Sequence, residues 1–214
     1  MYFLRMGVHF YTAGIIFLSL GIALCIQSLL GTSPFDALLV GLFRTFGLTI
    51  GTWEVVVGTS MIIGNAIAEK KLPEWMGFVT SIFTGVGIDS WLFLIRPIIS
   101  PTTWPSQTVC LIAGIVFTAV GTSLYLQSRI APNPMDRSMM ILVERLHWSI
   151  SKARIVINIL LVVVAFLFGG AIGIGTLVNA LCTGAIIGVL LPYTYTLRVR
   201  LSPKNVNDSE EISL

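Results

Sequence analysis

Four acidic residues lie in or beside long apolar segments, where a carboxyl group is costly and is usually paired or functional. They are Asp36, Glu54, Asp89 and Asp136. Two of them end similar stretches 100 residues apart, GTSPFD at 31–36 and APNPMD at 131–136. A carboxyl group in such surroundings can carry a proton or bind a cation. We therefore take all four as candidate substrate or coupling residues.

The two Pro-x-Asp stretches also have a purely structural interpretation. Ser33 and Asn133 are suitable helix N-caps, and the prolines that follow them suit the first helical position. Asp36 and Asp136 would then occupy the third helical position, where a negative charge stabilises the positive end of the helix dipole. If the two helices instead line a central path, carboxylates at their starts favour a cation or a proton over an anion. Both interpretations stay open.

A second group of charges is expected near one face of the membrane. Glu54 and Asp89 fall in the outer half of their predicted spans, together with Asp36, and Arg44 and Arg96 lie on the same side. Charged residues at membrane depth usually face the bundle interior and pair with one another, which predicts an ion-pair cluster. Asp89 is the deepest, about 21 Å from the start of its helix, and is the strongest single candidate for a coupling or substrate residue.

Two glutamines complete the candidate set. Gln27 and Gln127 occupy equivalent positions before the two Pro-x-Asp stretches. Their alternative role is to form hydrogen bonds between helices, as polar amides in membrane helices commonly do. The three cysteines are isolated and have no metal-ligand spacing, so we expect neither a metal site nor a cofactor.

The region around the candidates is repeated within the chain. Nine of 23 positions are identical between 14–36 and 114–136, and the matches include Gln-Ser followed by Pro-x-Asp in the same register. Shared apolar composition does not readily produce that polar pattern. We infer an internal duplication, with one membrane repeat at 1–100, a second at 101–197, and a polar tail at 198–214.

Composition places these repeats in a membrane. Hydrophobic residues make up 55% of the chain and charged residues only 11%, and the mean hydropathy is +0.91. From Ile155 to Leu197 there is no charged residue, which is enough chain for two helical spans. The lipid bilayer is therefore the expected environment. In a membrane protein the net charge of +3 says little about nucleic acid, and we expect no nucleic-acid partner.

The apolar segments predict an all-α membrane protein with about six transmembrane helices and two short helices that do not cross. The short helices are expected at 34–48 and 134–148, where fifteen residues reach about 22 Å against roughly 30 Å of hydrocarbon. The six predicted spans are 6–30, 50–68, 75–95, 107–130, 155–169 and 176–196.

The positive charges predict an orientation for this topology. With six spans, eleven lysines and arginines fall on one side and only Arg44 and Arg96 on the other. This bias places both termini in the cytoplasm. Because three spans per repeat is an odd number, the second repeat must be inserted upside down relative to the first, as in many secondary transporters.

These segments resemble a known family. The stretches GIALCIQSLLGTSPFDALLVGL, GLTIGTWEVVVG and IGIGTLVNALCTG are similar to the YczE/YyaS/YitT family of bacterial integral membrane proteins. The resemblance covers nearly all of the chain to about residue 197. It implies a multi-pass protein of the bacterial plasma membrane and implies no particular activity. One departure is the short helix at 134–148, which Arg137 and Glu144 make more charged than its counterpart.

Two functions from different classes fit these observations. The first is a small inverted-repeat transporter of a small solute or ion, coupled through the candidate acids. The second is a scaffold or accessory protein that modulates another membrane system, in which caps and pairs account for the acids. The sequence has no hydrolase or nucleotide-binding motif, so we expect no enzyme. The Gly184-x-x-x-Gly188 pattern suggests close helix packing within the protein or in a homo-oligomer.

Overall fold

A computed structural model describes residues 2–128, 130 and 134–201, except for the side chains of 2–6 and 136. The described residues form eight α-helices and no strand. Six of the helices are long and apolar enough to cross a membrane. The predicted fold class, an all-α membrane protein with six spans and two short helices, is therefore confirmed.

The helices follow the predicted order. They are α1 Tyr2–Gln27, α2 Pro34–Phe46, α3 Ile50–Glu69, α4 Trp75–Ile95, α5 Trp104–Ser128, α6 Pro134–Leu146, α7 Ile150–Leu167 and α8 Ile174–Leu201. The two short helices, α2 and α6, have 13 residues each, about 20 Å of helix.

Two boundaries in the second half differ most from the prediction. The helix α7 begins five residues earlier than expected, at Ile150, because the Ser149 side chain caps it and accepts a hydrogen bond from the Lys152 amide. The helix α8 continues through Arg198 and Arg200 to Leu201, where an irregular tail was expected. Residues 202–214 of that tail lie outside the described residues. Charged residues thus extend both helices beyond their apolar segments.

The centre of the bundle is the crossing of α1 and α5, which pack through glycines. A β-carbon on Gly21 would clash with the Thr118 backbone and lie 2.7 Å from the Gly114 carbonyl oxygen. A β-carbon on Gly121 would likewise clash with Leu18 and lie 2.7 Å from the Gly14 carbonyl oxygen. Since Gly14 meets Gly121 and Gly21 meets Gly114, the two helices run in opposite directions.

The same crossing brings equivalent residues of the two repeats together. Phe17 and Phe117 stack with ring centroids 5.9 Å apart and an interplanar angle of 6°. Each glycine pair becomes the other when every residue is exchanged for its counterpart 100 positions away. The repeated glycines are therefore the residues that allow the two halves to approach closely.

Most other helix contacts also come in equivalent pairs. The α1–α4 contact corresponds to the α5–α8 contact. The α2–α3 contact corresponds to α6–α7, and the α2–α7 contact corresponds to α3–α6. In the described ranges two contacts have no equivalent of the same extent, a slight one between α2 and α8 and an extensive one between α3 and α4. The helices α3 and α4 pack closely, whereas α7 and α8 hardly touch.

Candidate functional site

Asp36 lies buried in the first turn of α2. Its predicted cap is present, because the Ser33 hydroxyl oxygen accepts a hydrogen bond from the Asp36 amide at 3.2 Å. The carboxylate oxygen Oδ2 in turn accepts hydrogen bonds from the hydroxyls of Ser33, at 2.6 Å, and Thr32, at 3.4 Å. The side chain is only 5% exposed. Burial raises the pKa of this carboxyl from 3.8 to about 6, although the two hydroxyl hydrogen bonds oppose the shift.

A second buried carboxyl lies close to the first. Glu54 belongs to the second turn of α3 and is 8% exposed, and its charge interacts with that of Asp36. Ion pairs between described residues involve only Glu69, Glu74, Lys71 and Arg137. No described lysine or arginine therefore neutralises either carboxyl in the pair formed by Asp36 and Glu54, which we call the carboxyl pair.

Two further helices contribute polar groups beside Asp36. The Cys25 thiol of α1 is 1% exposed and lies within range of the charge of Asp36. The Asn179 amide of α8 donates a hydrogen bond to Cys25 Sγ at 3.6 Å and accepts one from the Thr183 hydroxyl at 2.9 Å. The candidate site is thus assembled by α1, α2, α3 and α8, from both repeats.

The loop before α2 is held by the glycine-rich turn before α8. The Thr32 amide donates to the Ala171 carbonyl at 3.2 Å, and the Gly175 amide donates to the Leu30 carbonyl at 2.8 Å. Gly31 has a φ of 107°, and a β-carbon there would lie 2.7 Å from the Gly173 nitrogen. This contact joins the first half of the chain to the second across 139 positions for Thr32 and Ala171, and the spacing of the motifs did not reveal it.

The described residues do not form the ion-pair cluster that was expected around Asp89. Asp89 Oδ1 accepts a hydrogen bond from the Gly51 amide at 2.8 Å, and Arg44 donates to the Gly169 carbonyl at 2.8 Å. Backbone amides at the start of a helix have no partner within that helix, so the Gly51 amide of α3 can donate to the Asp89 carboxylate. The two helices are close enough for this bond because Gly51 and Gly85 have no side chains at their contact. Asp89 is half-buried and lines an open cleft of about 790 Å³ that Arg96 also lines.

The two glutamines bond to backbone carbonyls of other elements. Gln27 donates to the Ile99 carbonyl at 2.7 Å, and Gln127 donates to the Leu191 carbonyl at 3.4 Å. Neither glutamine amide forms a described hydrogen bond with Asp36 or Glu54. Asp136 is in the first turn of α6, but its side chain and the predicted cap Asn133 lie outside the described residues.

The extra charges of α6 attach it to the end of α3. Arg137 forms a bidentate pair with Glu69 and lies 3.7 Å from Glu74. Arg145 donates to the Ala68 carbonyl at 2.6 Å. These contacts explain why α6 is more charged than α2. Among the described residues, no group of three or more histidines, cysteines or acids is placed to hold a metal ion.

The comparison with known families agrees with this architecture. The profile of DUF6198, a family of unknown function, matches residues 6–192. The chain belongs to this family. It is also similar to the uncharacterized protein YyaS of Bacillus subtilis, with 43% identity over 187 residues, which cover 87% of this chain and 93% of the relative.

More distant relatives extend the same similarity. The uncharacterized membrane protein YczE of Bacillus subtilis is 31% identical over 189 residues, covering 88% of this chain and 86% of the relative. An uncharacterized protein of Haemophilus influenzae is 28% identical over 176 residues, covering 81% of this chain and 78% of the relative. These relatives confirm the family predicted from the sequence. No solved structure matches the chain significantly.

Proposed function

We propose that this protein is a non-enzymatic transporter of a small solute or ion, and that Asp36 and Glu54 are its coupling residues. The observation that carries the proposal is the buried carboxyl pair. Two carboxyls, 5% and 8% exposed, interact with each other and have no cationic partner among the described residues. Purely structural buried acids are normally paired with a cation or a metal.

The negative charge of the two carboxylates determines which species the site can bind. Two carboxyls in one buried site repel an anion and lower the free energy of a bound cation or proton. Because Ser33 and Thr32 already bond to one oxygen of Asp36, Glu54 is the less constrained member of the pair. We assign Asp36 as the fixed carboxyl and Glu54 as the one that exchanges its proton or cation.

The packing of the repeats supports an inverted-repeat mechanism. The helices α1 and α5 run in opposite directions at the glycine crossing, and most helix contacts occur in equivalent pairs. The largest departure, a closed α3–α4 contact and an open α7–α8 contact, is expected if the two halves take turns in closing. In this mechanism the bundle lies in the bacterial plasma membrane with both termini in the cytoplasm.

The accessory alternative has one specific observation in its favour. Asp36 is well satisfied as part of a helix cap, and a cap requires no ligand. That interpretation leaves Glu54 without a described hydrogen-bond partner in the same site, which is why we favour transport. Gln27, Gln127 and Asp89 are bonded to backbone groups and are assigned structural roles.

A flux assay tests the proposal. The protein is reconstituted into liposomes that contain pyranine, and inward gradients of sodium, potassium, ammonium and methylammonium ions are applied. We expect at least one gradient to drive a protein-dependent change of internal pH. Asp36→Asn and Glu54→Gln should reduce its rate at least tenfold, whereas Glu144→Gln, an exposed acid of α6, should leave it unchanged. Equal rates in all variants, or no protein-dependent signal with any ion, would support the accessory alternative.

A further inference from the structure

The contacts between α3 and α4 indicate, by helix register, which turn of α4 lies opposite Glu54. At the start of α3, Gly51 touches Gly85 of α4, and further along the same helix Gly58 touches Ser81. Because the helices run in opposite directions, Glu54 lies between these two contacts, opposite the turn of α4 between Ser81 and Gly85. Thr84 belongs to this turn and is 4% exposed.

Hydroxyl groups continue from this point toward the start of α4. Thr80 and Ser81 lie one turn before Thr84 on the same buried face, and they are 4% and 1% exposed. The Thr80 hydroxyl donates to the Met76 carbonyl at 3.1 Å and lies 2.9 Å from the Tyr11 hydroxyl of α1. Buried hydroxyls thus follow the α1–α3–α4 interface from the level of Glu54 to Tyr11. We call Tyr11, Thr80, Ser81 and Thr84 the hydroxyl row.

One member of the hydroxyl row is fully enclosed without a described hydrogen-bond partner. Ser81 Oγ is fully enclosed and bonds to no described group. Buried serines of other helices donate to a carbonyl one turn back, as Ser19 does to Ile15 at 2.7 Å and Ser123 to Ala119 at 2.6 Å. An unpaired buried hydroxyl costs free energy, so a hydrogen bond from Ser81 to a neighbouring group or to a water molecule would be favourable.

We propose that the hydroxyl row is a proton path that connects Glu54 with the end of the bundle where α4 begins. This inference rests on the proposed function and names the proton as the coupling ion. At each step a hydroxyl oxygen accepts a proton from one neighbour and releases its own to the next. The last hydroxyl protonates the Glu54 carboxylate, and the reverse sequence returns the proton. No charge remains on a hydroxyl after transfer, and no oxidant or other reactant is required.

The tight packing around the row explains why a proton fits and a metal cation does not. A β-carbon on Gly58 would clash with Ser81 Oγ, so α3 and α4 leave no room there for a hydrated ion. A proton needs only hydroxyl groups, or single water molecules between them, to move through such a contact.

The charged groups around Glu54 are consistent with a carboxyl that exchanges protons. On the helices that pack against α3, the described charged side chains are Asp36, Arg44, Asp89, Arg137, Glu144 and Arg145. Arg44 bonds to the Gly169 carbonyl, and the two α6 arginines bond at the far end of α3, to Glu69 and to the Ala68 carbonyl. Asp36 is the group whose charge reaches Glu54.

The path is tested by following protonation of Glu54 directly. Full-length protein reconstituted in lipid is subjected to a rapid pH step, and the carbonyl stretch of its protonated carboxyl groups is recorded by time-resolved infrared spectroscopy. The band that disappears in Glu54→Gln reports Glu54. We expect Thr84→Val and Ser81→Ala to slow its relaxation at least tenfold without changing its final amplitude, and Thr84→Ser to restore the wild-type rate.

A matched control is available on the same helix. Ser90 is exposed and donates to the Val86 carbonyl at 2.7 Å, so Ser90→Ala should relax as the wild type does. Unchanged rates in Thr84→Val and Ser81→Ala, or a Glu54 band that does not respond to pH, would overturn the path. The result does not depend on the flux assay, because protonation of Glu54 is measured without any transported solute. A failed proton path and a failed transporter are therefore distinguishable.

Discussion

Asp36 is held by two opposing effects, and its environment makes a prediction about pH. The hydroxyls of Ser33 and Thr32 stabilise its carboxylate, whereas burial favours the protonated carboxyl and prevails, which raises the pKa from 3.8 to about 6. The folded protein therefore binds this proton more tightly than the unfolded chain does. Its stability is highest when the group is protonated in both states and falls as pH rises through about 6.

We expect the thermal unfolding midpoint of the wild-type protein in detergent to rise as pH is lowered from about 6 to 3.8, the interval between the pKa values of the folded and unfolded states. The contribution of Asp36 is on the order of 3 kcal/mol over its full titration, since one pKa unit corresponds to about 1.4 kcal/mol. Asp36→Asn should remove most of that pH dependence, because the amide keeps an acceptor for Ser33 and does not titrate. The measurement is a series of unfolding curves at fixed ionic strength. An identical pH dependence in wild type and variant would contradict the assignment.

The crossing of α1 and α5 depends on the absence of side chains at its contact points. Gly21 lies against the Thr118 backbone, which cannot rotate away as a flexible side chain could. Small residues at such crossings let two membrane helices approach closely and gain dispersion contacts. This crossing positions Cys25 and the loop before α2, so its spacing bears on the carboxyl pair.

Gly21→Ala should therefore destabilise the bundle by about 1–3 kcal/mol, the usual cost of overpacking. Gly64→Ala is the matched control, because a β-carbon at Gly64 of α3 would meet nothing within 4 Å. The control should be neutral or slightly stabilising, since alanine is the better helix former. Thermal unfolding of both variants in the same detergent checks the difference. A Gly21→Ala variant as stable as Gly64→Ala would show that the crossing can relax at no cost.

The arrangement of the two repeats predicts opposite locations for two equivalent loops. Leu48 follows α2 and Trp148 follows α6, at positions 100 residues apart. In the proposed inverted repeat, three spans lie between these loops and place them on opposite faces of the membrane. The distribution of positive charge predicts that Trp148 lies on the cytoplasmic side.

Reporter fusions test this arrangement. Fusions after Lys71, Trp148 and Leu214 should report the cytoplasm, and fusions at Leu48 and Thr103 should report the exterior. Alkaline phosphatase and a fluorescent protein serve as complementary reporters, because each is active on only one side of the membrane. If Leu48 and Trp148 report the same side, the inverted repeat is wrong and a topology with eight crossings takes its place.

The sequence by itself determined the properties of this protein that depend on neighbouring residues. Apolar length alone separates six spans from two short helices, because a helix must cover the hydrocarbon core to cross it. Ser33 predicted the start of α2, because an N-cap bonds within its own first turn. The same local signals missed the true start of α7. The apolar segment begins only after Lys152 and Arg154, whereas the helix begins at Ile150 and includes both.

Only the tertiary structure decided which candidate acids lie near one another. The sequence grouped Asp89 with Arg44 and Arg96, whereas in the fold Asp89 bonds to the Gly51 amide and Glu54 lies beside Asp36. These partners depend on which helices touch, and at what register. Glycine contacts such as Gly51 with Gly85 determine both. The energy of a buried carboxyl depends on all groups within a few ångströms of it, and most of those groups are distant in sequence.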